Sequence, residues 1–229
     1  MLKDLFHLFF PRLCPSCSRL LLDQEKAYCW NCILSIEKTG FHASPSNNEL
    51  YNRLAAIAPI DAAAALFYFD KGGKLQKIIS ALKYHHQPKI GIALGELYGN
   101  ELKNSEFIEH IEAIIPVPLH PKREAERGYN QAAEIAEGLS NKTGIPFRED
   151  ILKRKKASRS QTRKGKEERW ENVKDLFEVN HEFQSGVLLV DDIITTGSTI
   201  LGCARAFAKT DNPPGKVAVL SIGITRKLD

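Results

Sequence analysis

The sequence predicts an α/β protein: a parallel sheet flanked by helices, with a small N-terminal cysteine-rich segment. Three observations predict it. From residue 62 onward, short apolar runs alternate with segments of helical spacing, the pattern of a sheet covered on both sides. The run Val187-Leu188-Leu189-Val190 is apolar at every position, as a strand buried on both faces requires. Near the N-terminus, Cys14, Cys17, Cys29 and Cys32 form two Cys-x-x-Cys pairs.

The 229 residues admit one domain with a small appendage, or two small domains. With 43% hydrophobic and 26% charged residues, the chain can build a core without disulfide staples, which excludes collagen, mucin, coiled coil and wholesale disorder. A net charge of +4 says little by itself; its distribution matters more. No stretch reads as a membrane span or signal peptide. Leu54 to Phe69 is short and holds Pro59 and Asp61, and Met1 to Phe10 holds Asp4 and His7 without a small-residue cleavage site. The expectation is a cytoplasmic chain with no stable membrane insertion.

Leu2, Leu5, Phe6 and Phe9 share one helical face, and Pro11 ends that helix. The two cysteine pairs follow, separated by eleven residues. Each pair presents two thiolates to one ion, and four thiolates close a tetrahedral zinc site with no open position for catalysis. The alternative is two structural disulfides; zinc is preferred because no export signal is present. Residues 1–40 thus read as an N-terminal helix and a structural zinc ribbon. The stretch 41–60, rich in Ser, Pro and Asn where it begins, reads as a linker, and 61–229 as the main domain.

In that domain Ala62 to Phe69 reads as a strand and Lys71-Gly72-Gly73 as a turn. Leu75, Ile78, Ile79 and Leu82 repeat at helical spacing, and Ile90 to Leu102 gives a second helix. Ala113 to Val117 is a strand. Ala132 to Leu139 is a helix closed by Gly144. Leu176 to Val179 and Val187 to Val190 are strands, Ser198 to Ala208 a helix, and Lys216 to Ile224 a final strand. Cys203, inside an apolar helical pattern, reads as a buried inert thiol.

The most informative stretch is Val187-Leu188-Leu189-Val190-Asp191-Asp192-Ile193-Ile194-Thr195-Thr196-Gly197-Ser198-Thr199. An apolar strand ends in two carboxylates, followed by a polar loop and a helix. Ligands of open parallel sheets bind at the carboxyl ends of strands. Thr195, Thr196, Gly197, Ser198 and Thr199 offer hydroxyls and backbone N–H groups at a helix N-terminus, a phosphate cradle. Asp191 and Asp192 are acceptors only, so they suit hydroxyls or a metal. Phosphate beside a diol describes a 5-phosphoribosyl group. No triphosphate loop and no dinucleotide Gly-x-Gly-x-x-Gly is present. The plainer reading is a strand, turn and helix capped by Ser198 or Thr199.

This run, acid pair and Thr-Thr-Gly-Ser-Thr loop resembles the signature of the type I phosphoribosyltransferases, and within them the chain is most similar to the ComF family, associated with DNA uptake in competence. The four-cysteine segment fits that family. So do Leu82-Lys83-Tyr84, Ile115 to Arg123 (Ile-Pro-Val-Pro-Leu-His-Pro-Lys-Arg), Arg127-Gly128-Tyr129-Asn130-Gln131, and Gln161, Arg169, Asn172 and Val173. Ala125 and Glu126 dilute the positive charge between Arg123 and Arg127, and Gln161 to Lys164 is more basic than the family pattern. The resemblance implies a type I phosphoribosyltransferase-like sheet and 5-phosphoribosyl 1-pyrophosphate as ligand. It places Lys122, Arg123 and Arg127 on a pyrophosphate loop working with Mg2+.

His120 is a candidate phosphate donor or a plain loop residue, and Asn130 a helix cap or a ligand. Lys153 to Arg169 holds nine basic residues against Glu167 and Glu168. It reads as a solvated face, a lid over the ligand, or a patch for single-stranded DNA, with Trp170 as poor support for base stacking. Two functions compete: phosphoribosyl transfer to an unidentified nitrogen acceptor, or a non-catalytic ligand sensor or single-stranded-DNA binder among DNA-uptake proteins.

Overall fold

The computed structural model describes residues 11–155 and 176–226. The expected helix at Met1–Phe10 and residues 156–169 of the basic run lie outside the described residues, as do Trp170, Asn172 and Val173.

Four strands form one parallel sheet: β1 (Ala62–Tyr68), β2 (Ile111–Pro116), β5 (Gly186–Ile194) and β6 (Lys216–Ile224), in the order β1-β6-β5-β2. Two short strands, β3 (Leu152–Arg154) and β4 (Phe177–Val179), pair antiparallel beside it. The helices are α1 (Trp30–Leu34), α2 (Glu49–Ala55), α3 (Lys74–Tyr84), α4 (Lys89–Leu102), α5 (Pro121–Arg127), α6 (Gln131–Thr143) and α7 (Ser198–Ala208). None of the described helices is long and apolar enough to cross a membrane.

The apolar strands carry two cores because successive side chains leave a strand on opposite faces. Ala64, Ile114, Leu188, Val190 and Leu220 pack under α3, α4 and α6. Ala63, Ile115, Val187, Leu189 and Val219 pack under α2 and α7, with β3 and β4. The cysteine-rich segment joins the first core, since Cys14, Tyr28, Cys29, Cys32 and Ile33 are buried in the same cluster.

Within the stretch expected as a linker, Asn48 caps α2 by accepting a hydrogen bond from the Tyr51 N–H, and Leu50 and Leu54 of α2 are buried in the second core. The Ser/Pro/Asn composition marked the turns that lead into this helix, while its leucines at i and i+4 supplied the buried stripe.

Helices α4 and α6 cross at backbone contact. A Cβ on Gly95 would sit 2.1 Å from the Ile135 carbonyl oxygen, and one on Gly138 would sit 2.1 Å from that of Ile92. Neither neighbour can yield without moving a helix. Gly95→Ala is therefore expected to cost about 3 kcal/mol in denaturant unfolding, which lowers the melting temperature by about 10 °C at this chain length. Gly215→Ala, facing open space, should stay within about 0.5 kcal/mol of the parent chain.

Candidate functional site

The chain leaving β5 turns to α7 on one face, while the chain leaving β2 reaches α6 on the other. A crevice opens where neighbouring strands part in this way. Here it is a cleft of about 800 Å³ over the carboxyl ends of β1, β2 and β5. Asp191, Asp192, Thr195, Thr199, Lys122, Arg123 and Arg127 all line it. Thr196, Gly197 and Ser198 complete the same loop without lining the cleft; Thr196 is exposed and Gly197 buried.

The acid pair does not end the strand, as the sequence suggested. β5 continues through it to Ile194, because β6 keeps pairing: Asp191 lies opposite Ser221 and Ile193 opposite Gly223. The pleat therefore sends the two carboxylates to different faces. Asp192 meets Lys83 of α3, Nζ to Oδ2 at 2.7 Å. Asp191 lies toward α7, where its charge adds to burial in pushing up the thiol of fully buried Cys203. Each Oδ1 turns back on the strand: that of Asp191 accepts the Asp192 N–H at 2.8 Å and that of Asp192 accepts the Ile193 N–H at 2.6 Å. Burial, and then the Asp192 charge, raise the Asp191 carboxyl to about 7.

The phosphate-type loop has an open helix end. Gly197, at φ 77°, is the N-cap of α7 and supplies no side-chain cap, and neither Ser198 nor Thr199 takes that position. The first N–H groups of α7 have no partners within the helix; that of Ser198 makes a long contact, 3.4 Å, to Thr196 Oγ1. The Thr196 and Ser198 hydroxyls lie 2.9 Å apart. From behind, α2 braces the loop: Arg53 Nη2 donates to the Thr195 carbonyl at 2.7 Å and Nη1 to that of Thr225 at 3.1 Å. Arg53 was missed in the sequence because it lies in a stretch with no catalytic pattern.

Lys122, Arg123 and Arg127 were expected on a loop and lie on helix α5 instead. The sequence holds the reason: Pro121 stands at the first turn, His120 Nδ1 accepts the Lys122 N–H at 3.2 Å, and Gly128 ends the helix at φ 81°. Asn130 caps α6 through the Ala132 N–H and donates to the Val117 carbonyl, which ties α6 to the end of β2.

The opposite wall was not foreseen as site. Gln76, Ile79, Ser80, Lys83 and Tyr84 line the cleft from one face of α3, at spacings of three and four. Tyr84 is 67% exposed, and the Arg127 guanidinium lies 5.3 Å from its ring centroid. Arg154 of β3 also reaches the cleft. Five side chains of Lys and Arg thus face two carboxylates, which makes the cleft attractive to a polyanion.

The second cluster is Cys14, Cys17, Cys29 and Cys32, whose sulfurs all lie within 4.8 Å of one another. The Cys17 and Cys29 sulfurs are 3.7 Å apart, far beyond a disulfide bond of about 2.05 Å. A tetrahedron with metal–sulfur bonds of about 2.3 Å has edges of about 3.8 Å. The cluster can therefore hold a metal ion. Burial would raise the Cys14 thiol, but the N–H groups of Cys29, Cys17 and Ser16 outweigh it and bring it to about 7. Buried Glu25 braces the site: it accepts the N–H groups of Leu22 and Trp30 at 2.9 Å each, and Arg19 at 2.6 Å.

No family model matches the chain. Among curated proteins it is similar to Competence protein F of Haemophilus influenzae, 29% identical over 207 residues, which cover 86% of this chain and 84% of that protein. It is also similar to DNA utilization protein YhgH of Salmonella typhimurium, 27% identical over 57% of this chain and 60% of that protein. Competence protein ComFC of Bacillus subtilis is 34% identical over 47% of this chain and 41% of its own length. These relatives bear out the ComF-family resemblance. Among solved structures, the B. subtilis glutamine phosphoribosylpyrophosphate amidotransferase matches with TM-score 0.41 and 19% identity, over 62% of this chain and 30% of that chain. Adenine phosphoribosyltransferase from Leishmania tarentolae matches with TM-score 0.39 and 11% identity, over 85% and 96%.

Two outcomes follow from this geometry. A folded-state carboxyl raised from 3.8 to about 7 binds a proton that the unfolded chain has released, so its contribution to stability falls as pH rises between those values. Asp191→Asn should therefore melt with a smaller decline from about pH 5 to about pH 8 than the parent chain. Parallel melting curves would contradict the placement of Asp191. Elemental analysis should find about one metal ion per purified chain and none in Cys17→Ser, where an exposed ligand is lost without opening a core cavity.

Proposed function

We propose that the chain binds 5-phosphoribosyl 1-pyrophosphate at the carboxyl edge of its sheet and is built to transfer the phosphoribosyl group to a nitrogen acceptor, in the handling of DNA taken up by the cell. The observation that carries this reading is the convergence on one cleft of the open α7 N-terminus, the acid pair and the cationic helix α5. The names of the competence and DNA utilization relatives support the link to DNA uptake.

In this reading the N–H groups and hydroxyls of Thr195 to Thr199 hold the 5-phosphate. Asp191 and Asp192 accept the ribose hydroxyls, and Lys122, Arg123 and Arg127 hold the pyrophosphate. Departure of pyrophosphate leaves positive charge on the sugar carbon, so the chain's part is to align the acceptor and to stabilise the leaving anion. Mg2+ would be held by the pyrophosphate oxygens with the acid pair nearby, and it supplies charge neutralisation. Four thiolates around Zn2+ leave no open position, so that ion is structural. The planar face of Tyr84, backed by Arg127, suits a heteroaromatic acceptor.

Calorimetry with phosphoribosyl pyrophosphate and magnesium tests the site. Binding is expected in the parent chain and is expected to weaken at least about tenfold in Asp191→Asn/Asp192→Asn. Equal binding by both would contradict the reading. Release of pyrophosphate on incubation with nitrogenous bases separates a transferase from a sensor.

A further inference from the structure

The cleft carries its own counter-ion. Lys83 lies in the last turn of α3, with its ammonium 2.7 Å from Asp192 Oδ2, and the two side chains are only 22% and 11% exposed. Both ends of this pair are anchored. Leu75, Ile78, Ile79 and Leu82 bury α3 in the first core, and β5 stays hydrogen-bonded to β6 past Asp192, as far as Ile194. A covered ion pair held this way resists exchange, because withdrawal of Lys83 leaves a largely buried carboxylate uncompensated. The other engaged oxygens, Oδ1 of each aspartate, accept backbone N–H groups and carry no counter-charge.

We infer that Lys83 is the resident counter-cation of the acid pair, so that a pentose phosphate binds there without a divalent metal. The inference rests on the phosphoribosyl reading and divides its metal requirement. A sugar phosphate brings negative charge toward two carboxylates, and that approach needs a cation between or beside them. Lys83 supplies one that is tethered to the fold. The ribose hydroxyls can then donate to the carboxylate oxygens without displacing it, because a carboxylate oxygen accepts more than one hydrogen bond. The pyrophosphate half differs. Its charge falls near Lys122, Arg123 and Arg127, which are exposed or half-exposed and face water, so a divalent ion adds most there.

A plain strut between α3 and β5 would show the same contact, so the test reads metal dependence as well as stability. Calorimetry uses the whole 229-residue chain, purified with its bound metal, with ribose 5-phosphate, in magnesium-free buffer and again with magnesium. The parent chain is expected to bind within about twofold in the two buffers. Lys83→Met is expected to lose about tenfold or more without magnesium and to recover part of it when magnesium is added, while Lys83→Arg stays near the parent. A strut lowers the melting temperature of Lys83→Met without creating a magnesium dependence. The inference is overturned if the parent chain needs magnesium for ribose 5-phosphate, or if Lys83→Met binds it in magnesium-free buffer as tightly as the parent. Should Lys83→Met fail to fold, Lys83→Gln takes its place in the same two buffers, with the same expected loss. Binding of phosphoribosyl pyrophosphate with magnesium-dependent ribose 5-phosphate sinks only the role of Lys83. Binding of neither ligand sinks the phosphoribosyl reading and this inference with it.

Discussion

A central strand covered on both faces can carry charge only where its covering ends. β5 obeys this constraint, and the site follows from it. Up to Val190 every side chain enters one of the two cores. At Asp191 and Asp192 the neighbouring elements diverge, α7 to one face and α6 to the other, and polar groups become tolerable. The strand nevertheless stays paired to β6 for three residues beyond Asp191. That pairing fixes the carboxylates more rigidly than a loop could, and it fixes the start of the phosphate-type loop relative to them. Rigid placement on a strand suits the pentose recognition proposed above.

Two supports sit outside the cleft. Helix α2 holds the Thr195 carbonyl through Arg53 and packs Leu54 in the core beneath the loop. The cysteine-rich segment is the other. Its buried residues share the first core with α3 and α4, so a metal bound there would stiffen the same face of the sheet from which Lys83 approaches Asp192. Metal binding free energy becomes folding free energy in such a segment, and its effect would extend into the wall of the cleft.

Much of this was legible in the residues. Apolar runs and helical spacing located the strands of the main sheet, because both signals come from burial, which the sequence records directly. The two cysteine pairs announced the sulfur cluster by spacing alone. What the sequence did not disclose depends on contacts between distant elements. The partner of Asp192 lies 109 positions earlier in the chain, at Lys83; Leu82-Lys83-Tyr84 stood out by resemblance, but nothing local says what Lys83 meets. Helix α2 was hidden behind Ser, Pro and Asn, which lead into its cap as readily as into a linker. Helix α5 was readable from Pro121 and Gly128, but a run of charged residues with no apolar stripe looked like a loop; its seven residues are capped at both ends rather than buried.

A crystal structure of the chain with phosphoribosyl pyrophosphate and magnesium tests the central claim most directly. The 5-phosphate is expected on the N–H groups that open α7, with the ribose hydroxyls turned to Asp191 and Asp192. A phosphate seated elsewhere at saturating ligand, with that loop unoccupied, would contradict it.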